Sequence, residues 1–544
     1  MRFEEKLQTE APDAIWQEYC SFLDLSIEEY NKIQNSLLME QISLLSRSRL
    51  GNNLLHGKVP GSVEEFRQTV PLTTYEDYVD TLLMRRSEDL PAEPVVWLET
   101  TWEGGNYPKK IAPYSKYMLD TYTHNLLAAM LLSTSNKRGD FHVRPRSKVL
   151  YTLAPMPYPT GLFPDLMKGE IDLRFLPSVK EARTLPFSKQ MARGFELAVK
   201  QDMNQLFGMS SILYFISKNL LNSTDTGSGN GLKKLYGFSP VMLSRLLRAR
   251  YRSRRDKVPM LPKDIFKLDA FVCVGNDSTL YKGELEKYWG IKPMEIAGGT
   301  EPTLIGTETW SRNGMVLFPD ACFYEFIPEK EMQRSLDEPG YVPRTYLMNE
   351  LNANHLYELV ITVLKGGSFV RYRVGDVYRC LRLTNPEDNL DIPQFEFVDR
   401  TPNVIDIGGF TRITAKEINK VIDLSHLPVK QWCAYKEYNS DKQAFLQMLV
   451  ELKDDSLAVQ AVAAEVVKEH LSVYFRYYDQ DYVSLKKLIQ MDPLIVTVVR
   501  NGSFDTFEQM RGYRLRSVNP PASDVVDFRS LCSLPRSGGV NAWQ

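Results

Sequence analysis

Between residues 95 and 290 of this 544-residue chain, short strand-like runs alternate with longer helical ones. The strand-like runs are Val95–Leu98, Lys148–Leu153, Ile212–Phe215 and Ala270–Val274, each apolar and rich in β-branched or aromatic residues. The helical runs are Lys116–Ser133, Lys189–Met203, Pro240–Ala249 and Leu280–Trp289. Alternation on this scale predicts an α/β fold built on a mainly parallel sheet. Upstream, residues 12–55 place apolar side chains at helical spacing and meet a break at Gly51-Asn-Asn. Thr73 or Thr74 is positioned to cap a helix whose first turn is acidic.

Past residue 400 the texture changes. Trp432–Glu437 and Phe445–Leu452 read as strands, Asp455–Leu471 as a helix, and Tyr482–Gln490 as a second helix. Pro493–Arg500 reads as a strand closed by the turn dipeptide Asn501-Gly502. The division expected is therefore a large domain, 1–400, and a smaller α+β domain, 401–544. Asn222–Gly231 reads as a surface loop, and the tail beyond Ser537 as loose.

Composition narrows the function. A formal charge of −2 gives no electrostatic basis for binding nucleic acid or an anionic membrane. The basic run Arg245–Lys257 reads as a solvated helix face and loop, or as an acidic-partner patch. Six cysteines lie far apart without Cys-x-x-Cys spacing, and six histidines are scattered, so neither a disulfide framework nor a zinc site is expected. The N-terminus lacks an apolar signal core and no stretch reaches the ~20 apolar residues of a spanning helix, so a cytoplasmic, soluble protein is expected.

Gly367-Ser-Phe-Val-Arg-Tyr-Arg-Val-Gly-Asp376 carries the clearest chemistry. It reads as a strand ending in a tight Gly-Asp turn, where a carboxylate can accept both hydroxyls of a ribose. Arg371 and Arg373, two apart, would share one strand face near an anion. A turn closing a structural hairpin reads equally well from the same residues. Three further landmarks stand in order around it. Glu99-Thr100-Thr101-Trp102-Glu103-Gly104-Gly105-Asn106-Tyr107-Pro108-Lys109 follows the first strand, and Met294-Glu-Ile296-Ala297-Gly298-Gly299-Thr300-Glu301 comes later. Phe395-Glu-Phe-Val-Asp-Arg400 then leads to the domain boundary.

In this order the landmarks resemble the adenylate-forming enzymes, specifically the auxin-responsive acyl-acid amido synthetases and their bacterial relatives, over nearly the whole chain. The resemblance implies a large N-terminal domain, a hinge near Arg400 and a mobile C-terminal domain. It implies ATP and Mg²⁺ as cofactors, with a small carboxylic acid and an amine or amino acid as partners. Glu301 would hold Mg²⁺, a role for which one carboxylate suffices; read alone, it is equally a helix-capping carboxylate. Asp376 would bind the ribose, Ile296, Ala297, Gly298 and Gly299 the adenine, and Thr300 a phosphate or the acyl carboxylate. Thr100, Thr101, Lys109 and Arg373 would meet phosphate. Arg400 would reach the nucleotide, although by itself it reads as a surface ion-pair residue. Tyr151–Gly161 reads as the wall of an acyl pocket or as a proline-stiffened loop packed on the core.

Two departures stand out. Aligned on Pro108-Lys109, the phosphate loop of the family has small residues where this chain has Trp102 and Glu103. A carboxylate ~5 Å from a phosphate costs on the order of 3 kcal/mol at an effective dielectric near 20, roughly a hundredfold in affinity. Near the C-terminus, Arg514 stands where the family has a lysine, with Arg516 the alternative. The expected function is an ATP-dependent amido synthetase; the alternatives are an acyl-CoA or carrier-protein ligase, or a non-catalytic binding protein on the same scaffold.

Overall fold

The computed structural model describes residues 1–100, 109–224, 238–275, 278–407, 411–426, 428–453, 464–470, 472–473 and 493–533. The expected helix 482–490, most of the 222–231 loop and the tail lie outside them, as do Thr101, Trp102 and Glu103. The chain divides into two compact units, residues 1–100 with 109–399, and the residues from Arg400 onward.

The first unit opens with helices. Ser26 caps the helix Ile27–Leu45 reciprocally with Glu29, and Tyr30, Leu38, Ile42 and Leu45 bury one face at helical spacing. Two glutamines on this helix are buried and fully used. Gln34 donates to Cys322 O at 2.7 Å and accepts from Tyr324 N, while Gln41 brackets the Gly366–Gly367 backbone. The helix thus anchors the segment leading into the Arg-Tyr-Arg run. Gly51 does not break a helix but sits inside one, Arg49–Leu54. A Cβ there would fall 2.1 Å from Leu45 O, so glycine permits two helices to meet backbone to backbone. Thr74 caps the 3₁₀ turn Tyr75–Tyr78 with Asp77, whereas Thr73 donates to Val370 O.

β1 (Pro94–Thr100) and β2 (Lys110–Ser115) form an antiparallel pair with Thr100 opposite Lys110. The main sheet has eleven strands. Its parallel part comprises β3 (Lys148–Thr152), β4 (Arg174–Leu176), β5 (Gln205–Met209), β6 (Ala270–Val274) and the start of β7 (Met294–Gly299). The rest, β8 (Thr303–Glu308), β9 (Met315–Leu317), β10 (Cys322–Pro328), β11 (Leu356–Val363), β12 (Tyr372–Arg382) and β13 (Gln394–Arg400), includes a run of antiparallel pairs. The order is β10-β11-β12-β13-β9-β8-β7-β6-β5-β3-β4. The expectation of a mainly parallel sheet therefore holds for one half only. β7 joins the halves, pairing in parallel with β6 through Met294 and Glu295 and antiparallel with β8 through Ile296–Gly299. The predicted strand Ile212–Phe215 is helical, within Ser210–Thr224; the strand is the preceding Gln205–Met209. Both runs are short and apolar, and periodicity alone does not separate a buried strand from a buried helical turn.

The second unit contains β14 (Val404–Ile407) paired with β15 (Thr411–Thr414), and a three-stranded sheet of β16 (Val429–Tyr438), β17 (Ala444–Leu452) and β18 (Leu494–Val499). β16–β17 is antiparallel and β17–β18 parallel. Asn501-Gly502 makes the turn that follows β18, and Gly502, at φ +85°, caps the start of the helix Ser503–Arg511. The buried Glu451 carboxylate accepts Gly502 N and Phe504 N at that helix's N-terminus, where negative charge is favoured. Phe504, Phe507 and Phe528 close the small core over Cys433 and Leu449.

Candidate functional site

The β7–β8 turn carries Glu301. At Gly298 a Cβ would lie 2.4 Å from Thr303 O, so the turn folds back too closely for a side chain. The register slips between Ala297 and Gly298, and Thr303 adopts φ +66°. This tight geometry presents Thr300 and Glu301 inward, both buried. Tyr372, the first residue of β12, donates its hydroxyl to Glu301 Oε1 at 3.0 Å. Lys110 Nζ donates to the same tyrosine oxygen at 3.1 Å and lies 3.5 Å from Glu301 Oε1. The ammonium also lies 5.6 Å from the Tyr75 ring centroid and 5.8 Å from that of Tyr372, within cation–π range. Burial, and after it the Glu301 carboxylate, holds the Tyr372 phenol well above its usual range. Burial pushes Tyr75 up to about 12.

Lys109 is the loop lysine expected from the sequence, with Lys110 beside it as a further cation that could offset the charge of Glu103. Alternation along β2 separates them. Lys110, Ala112 and Tyr114 share a face, and Tyr114 donates to Thr300 O at 2.8 Å, so this face looks onto the turn. Lys109 instead pairs with Glu99 at 2.7 Å, and Arg85 reaches the same carboxylate at 3.2 Å in a half-exposed triad. Thr100, opposite Lys110, keeps its place beside the cluster. The period-2 pattern of Lys110, Ala112 and Tyr114 was the available signal.

Asp376 is not at a strand end. Glu358 pairs with Val377 and Val360 with Arg373, so Val374, Gly375 and Asp376 together oppose Leu359 alone. This is a bulge inside an eleven-residue strand, made possible by Gly375 at φ +83°. Bulges re-aim side chains, and here both readings of the Gly-Asp pair, strand end and hairpin turn, give way to that one. The two arginines do not share a strand face. Arg371, at φ +43°, precedes β12 and is buried, with Nε 2.9 Å and Nη2 2.8 Å from the two oxygens of Glu325, and Nη1 on Arg67 O. Arg373 grips Glu358 at 2.7 and 2.6 Å and donates to Ser335 at 3.1 Å. Glu325 and Glu358 are each 1% exposed, and a carboxylate so buried requires a paired cation. The guanidinium expected to meet phosphate at Arg373 is engaged on Glu358.

Ile296 and Ala297 lie on β7 opposite Thr307 and Gly306. Arg400 ends β13 at the start of the second unit. Arg514 follows the αL glycine Gly512 there, largely exposed, with Nε 3.2 Å from both oxygens of Glu508. The structure thus brings Lys110, Glu301 and Tyr372 together, with Thr100 opposite Lys110 on the neighbouring strand; Lys109 and Arg373 are committed to other carboxylates.

A second buried polar cluster went unread in the sequence. Glu308 accepts Lys282 Nζ at 2.6 Å and the Glu295 backbone N–H at 2.8 Å. Burial first, then the neighbouring Glu308 charge, pushes Glu295 up to about 8. Among the described residues no group of three or more His, Cys, Asp and Glu side chains is placed to hold a metal ion, and no helix is long and apolar enough to cross a membrane.

Residues 315–400 match the family model of the GH3 family central domain. That span runs from β9 to the end of β13 and includes the bulge. A search of curated proteins finds no match. Among solved structures, the chain resembles the acyl acid amido synthetase AtGH3.15 in complex with 2,4-DB, at 18% identity and a TM-score of 0.50, over 96% of each chain. It also resembles 2-hydroxyisobutyryl-CoA ligase in complex with 2-HIB-AMP and CoA, at 13% identity and a TM-score of 0.53, over 91% of this chain and 94% of that one. Residues 315–400 are thus similar to the GH3 family central domain, and the chain as a whole shares the fold of these two ligases.

Proposed function

We propose that the protein activates a carboxylic acid with ATP and transfers the acyl group to an amine. The observation that carries this reading is the meeting of Lys110, Tyr372 and Glu301 at the glycine turn, beside the strand pair that would flank a phosphate loop. The residues fit Mg·ATP. Magnesium takes one or two protein carboxylates and leaves its other positions to water and phosphate, so Glu301 suffices without an all-protein cage. When bound, Mg²⁺ would neutralise charge on the phosphates.

The chain's own groups divide the work. Tyr372 holds one oxygen of Glu301 by its hydroxyl and so fixes the carboxylate's orientation. Lys110, partly desolvated between two tyrosine rings, presents a cation toward developing negative charge. Asp376, re-aimed by the bulge, accepts the ribose hydroxyls, and Gly298–Gly299 offers backbone without side chains to the base. The acid's carboxylate oxygen attacks the α-phosphorus and pyrophosphate leaves with the bonding electrons. An amine nitrogen then attacks the acyl carbon, AMP leaves, and the amine proton passes to solvent.

Two proteins of this fold divide on the second step, one an amido synthetase and one a CoA ligase by their descriptions. An amine acceptor is our reading for this chain, because the family model matched is that of GH3. The test is calorimetric titration with Mg·ATP on the wild type and on Asp376→Ala, followed by pyrophosphate release with a panel of acids. Binding lost in the variant, with release dependent on acid, supports the reading. A folded wild type that binds no nucleotide refutes it. Comparing amino acids with CoA as acceptors then decides the second step.

A further inference from the structure

The basic run falls on one helix, Pro240–Asp256, capped by Ser239 and ended by Lys257 in the left-handed region at φ +54°. Met242, Leu246 and Ala249 bury its inner face. Its outer face carries most of the charge. From 245 to 257, six arginines and Lys257 stand against one acid, Asp256, in a chain whose formal charge is −2. Arg245 is held by Asp202 at 2.9 Å and Arg255 by Asp256 at 2.7 Å. Arg252 is shared between Asp264 at 3.5 Å and Asp256 at 3.8 Å. Among the described residues no carboxylate pairs with Arg248, Arg250, Arg254 or Lys257, all of them exposed.

Helix stability accounts for only part of this charge. Arg254 and Arg255 lie in the last turn, where cations complement the helix dipole. Arg248 and Arg252 stand four apart, as do Arg250 and Arg254, and like charges at that spacing weaken a helix. Apolar side chains are interleaved with them: Leu247 is 55% exposed and Tyr251 68%. Beside the C-terminal half of the helix lies a cavity of about 190 Å³, walled in part by Ala249, Val258, Pro259 and Leu261. Arg252, Lys263 and Asp264 also line it, Asp264 accepting Leu261 N at 2.8 Å. An apolar cavity of roughly 150 Å³ admits benzene, so this volume suits one leucine- or phenylalanine-sized side chain.

We propose that this face docks an acidic amphipathic helix of a partner protein, with one apolar side chain seated in the cavity. The one-turn spacing of Arg248 and Arg252 matches that of carboxylates four apart on a facing helix. Opposite charge then relieves the repulsion among the arginines and steers the encounter. A nucleic acid would satisfy the arginines but leave Leu247 and the cavity unfilled, and Tyr251 is the only aromatic on the helix for base stacking. A bilayer favours protruding apolar groups, whereas the apolar volume here is a cavity. The docking face is independent of the adenylation reading and needs no nucleotide.

The experiment is fluorescence anisotropy of the full chain at low salt. One labelled helical peptide carries Glu at four-residue spacing with Leu along the same face; a second has Ser in place of each Leu. The Leu peptide is expected to bind more tightly than the Ser peptide, and both to weaken as salt is raised. Arg248→Glu, at an exposed position, is expected to weaken the Leu peptide about tenfold or more, with the melting temperature unchanged. Lys330→Glu, an exposed charge reversal on another helix, is expected to change it far less. Val258→Trp, which fills the cavity from a residue 46% exposed, is expected to erase the preference for Leu over Ser. No binding of the Leu peptide, equal binding of the two peptides, a Leu preference untouched by Val258→Trp, or equal responses to Arg248→Glu and Lys330→Glu overturns the proposal. Tighter binding of single-stranded DNA, or of vesicles containing phosphatidylserine, also overturns it and puts a nucleic acid or a membrane in the partner's place.

Discussion

Lys110 Nζ lies 3.5 Å from Glu301 Oε1, and the Tyr372 hydroxyl bridges them, accepting from the first and donating to the second. The three come from β2, the β7–β8 turn and β12, which are distant in sequence. A carboxylate this buried is costly without its cation, and a cation between two tyrosine rings is costly without its carboxylate. Each is therefore held in place by the other, ready for an anion that would draw the ammonium away.

Lys110 rather than Lys109 is expected to carry nucleotide affinity. Lys110→Met should weaken Mg·ATP binding by about ten- to a hundredfold, the range for a charged hydrogen bond. Lys109→Met loses a half-exposed ion pair worth roughly 0–1 kcal/mol and should change binding less than about threefold. Calorimetric titration of both variants decides between the neighbours; the reverse ranking would return the role to Lys109.

The bulge should matter as much as the carboxylate it aims. Gly375→Ala forces a side chain into a positive-φ position at a cost of about 1–2 kcal/mol. It should lower the melting temperature by a few degrees and weaken nucleotide binding although Asp376 is intact. If affinity stays at the wild-type level, the aim of Asp376 does not depend on the bulge.

Arg371 and Glu325 form a buried pair whose disruption is structural. Arg371→Met leaves an uncompensated carboxylate and should destabilise the first unit by about 3–5 kcal/mol. Scanning calorimetry should show that unit melting earlier, with the second unit's transition unmoved. A variant with wild-type melting but no nucleotide binding would restore the anion-binding role expected from the sequence.

Glu295 sets a pH dependence with a definite sign. Its folded value, about 8, lies above the ordinary 4.5. The folded state therefore binds the proton more tightly than the unfolded one. The stabilisation is complete below about 4.5 and is lost as the pH rises toward 8. Glu295→Gln should remove this fall and raise the melting temperature at pH 8 relative to wild type, with little change at pH 5. Parallel melting curves for the two proteins at both pH values would show that Glu295 does not titrate in this window.

Local pattern was enough for much of the scaffold. The boundaries Lys116–Ser133 and Ala270–Val274 are those observed: the first is a long apolar stretch after a serine cap, the second a short apolar run closed by Gly275. The short strand running into the glycine pair and Glu301 was likewise legible, whereas Asp376 was expected at a strand end and lies in a bulge within β12. Tertiary structure decided the rest. Whether Gly375-Asp376 made a turn or a bulge depended on the register against β11, which lies on another strand. Whether Arg371 and Arg373 met a ligand or a buried glutamate depended on Glu325 and Glu358, brought across the sheet. The choice between Lys109 and Lys110 turned on which face of β2 met the glycine turn some 190 residues later. The sequence by itself determined which local geometries were available; only the packed sheet, by placing distant charges against one another at a few ångströms, determined which side chains remained to act on a ligand.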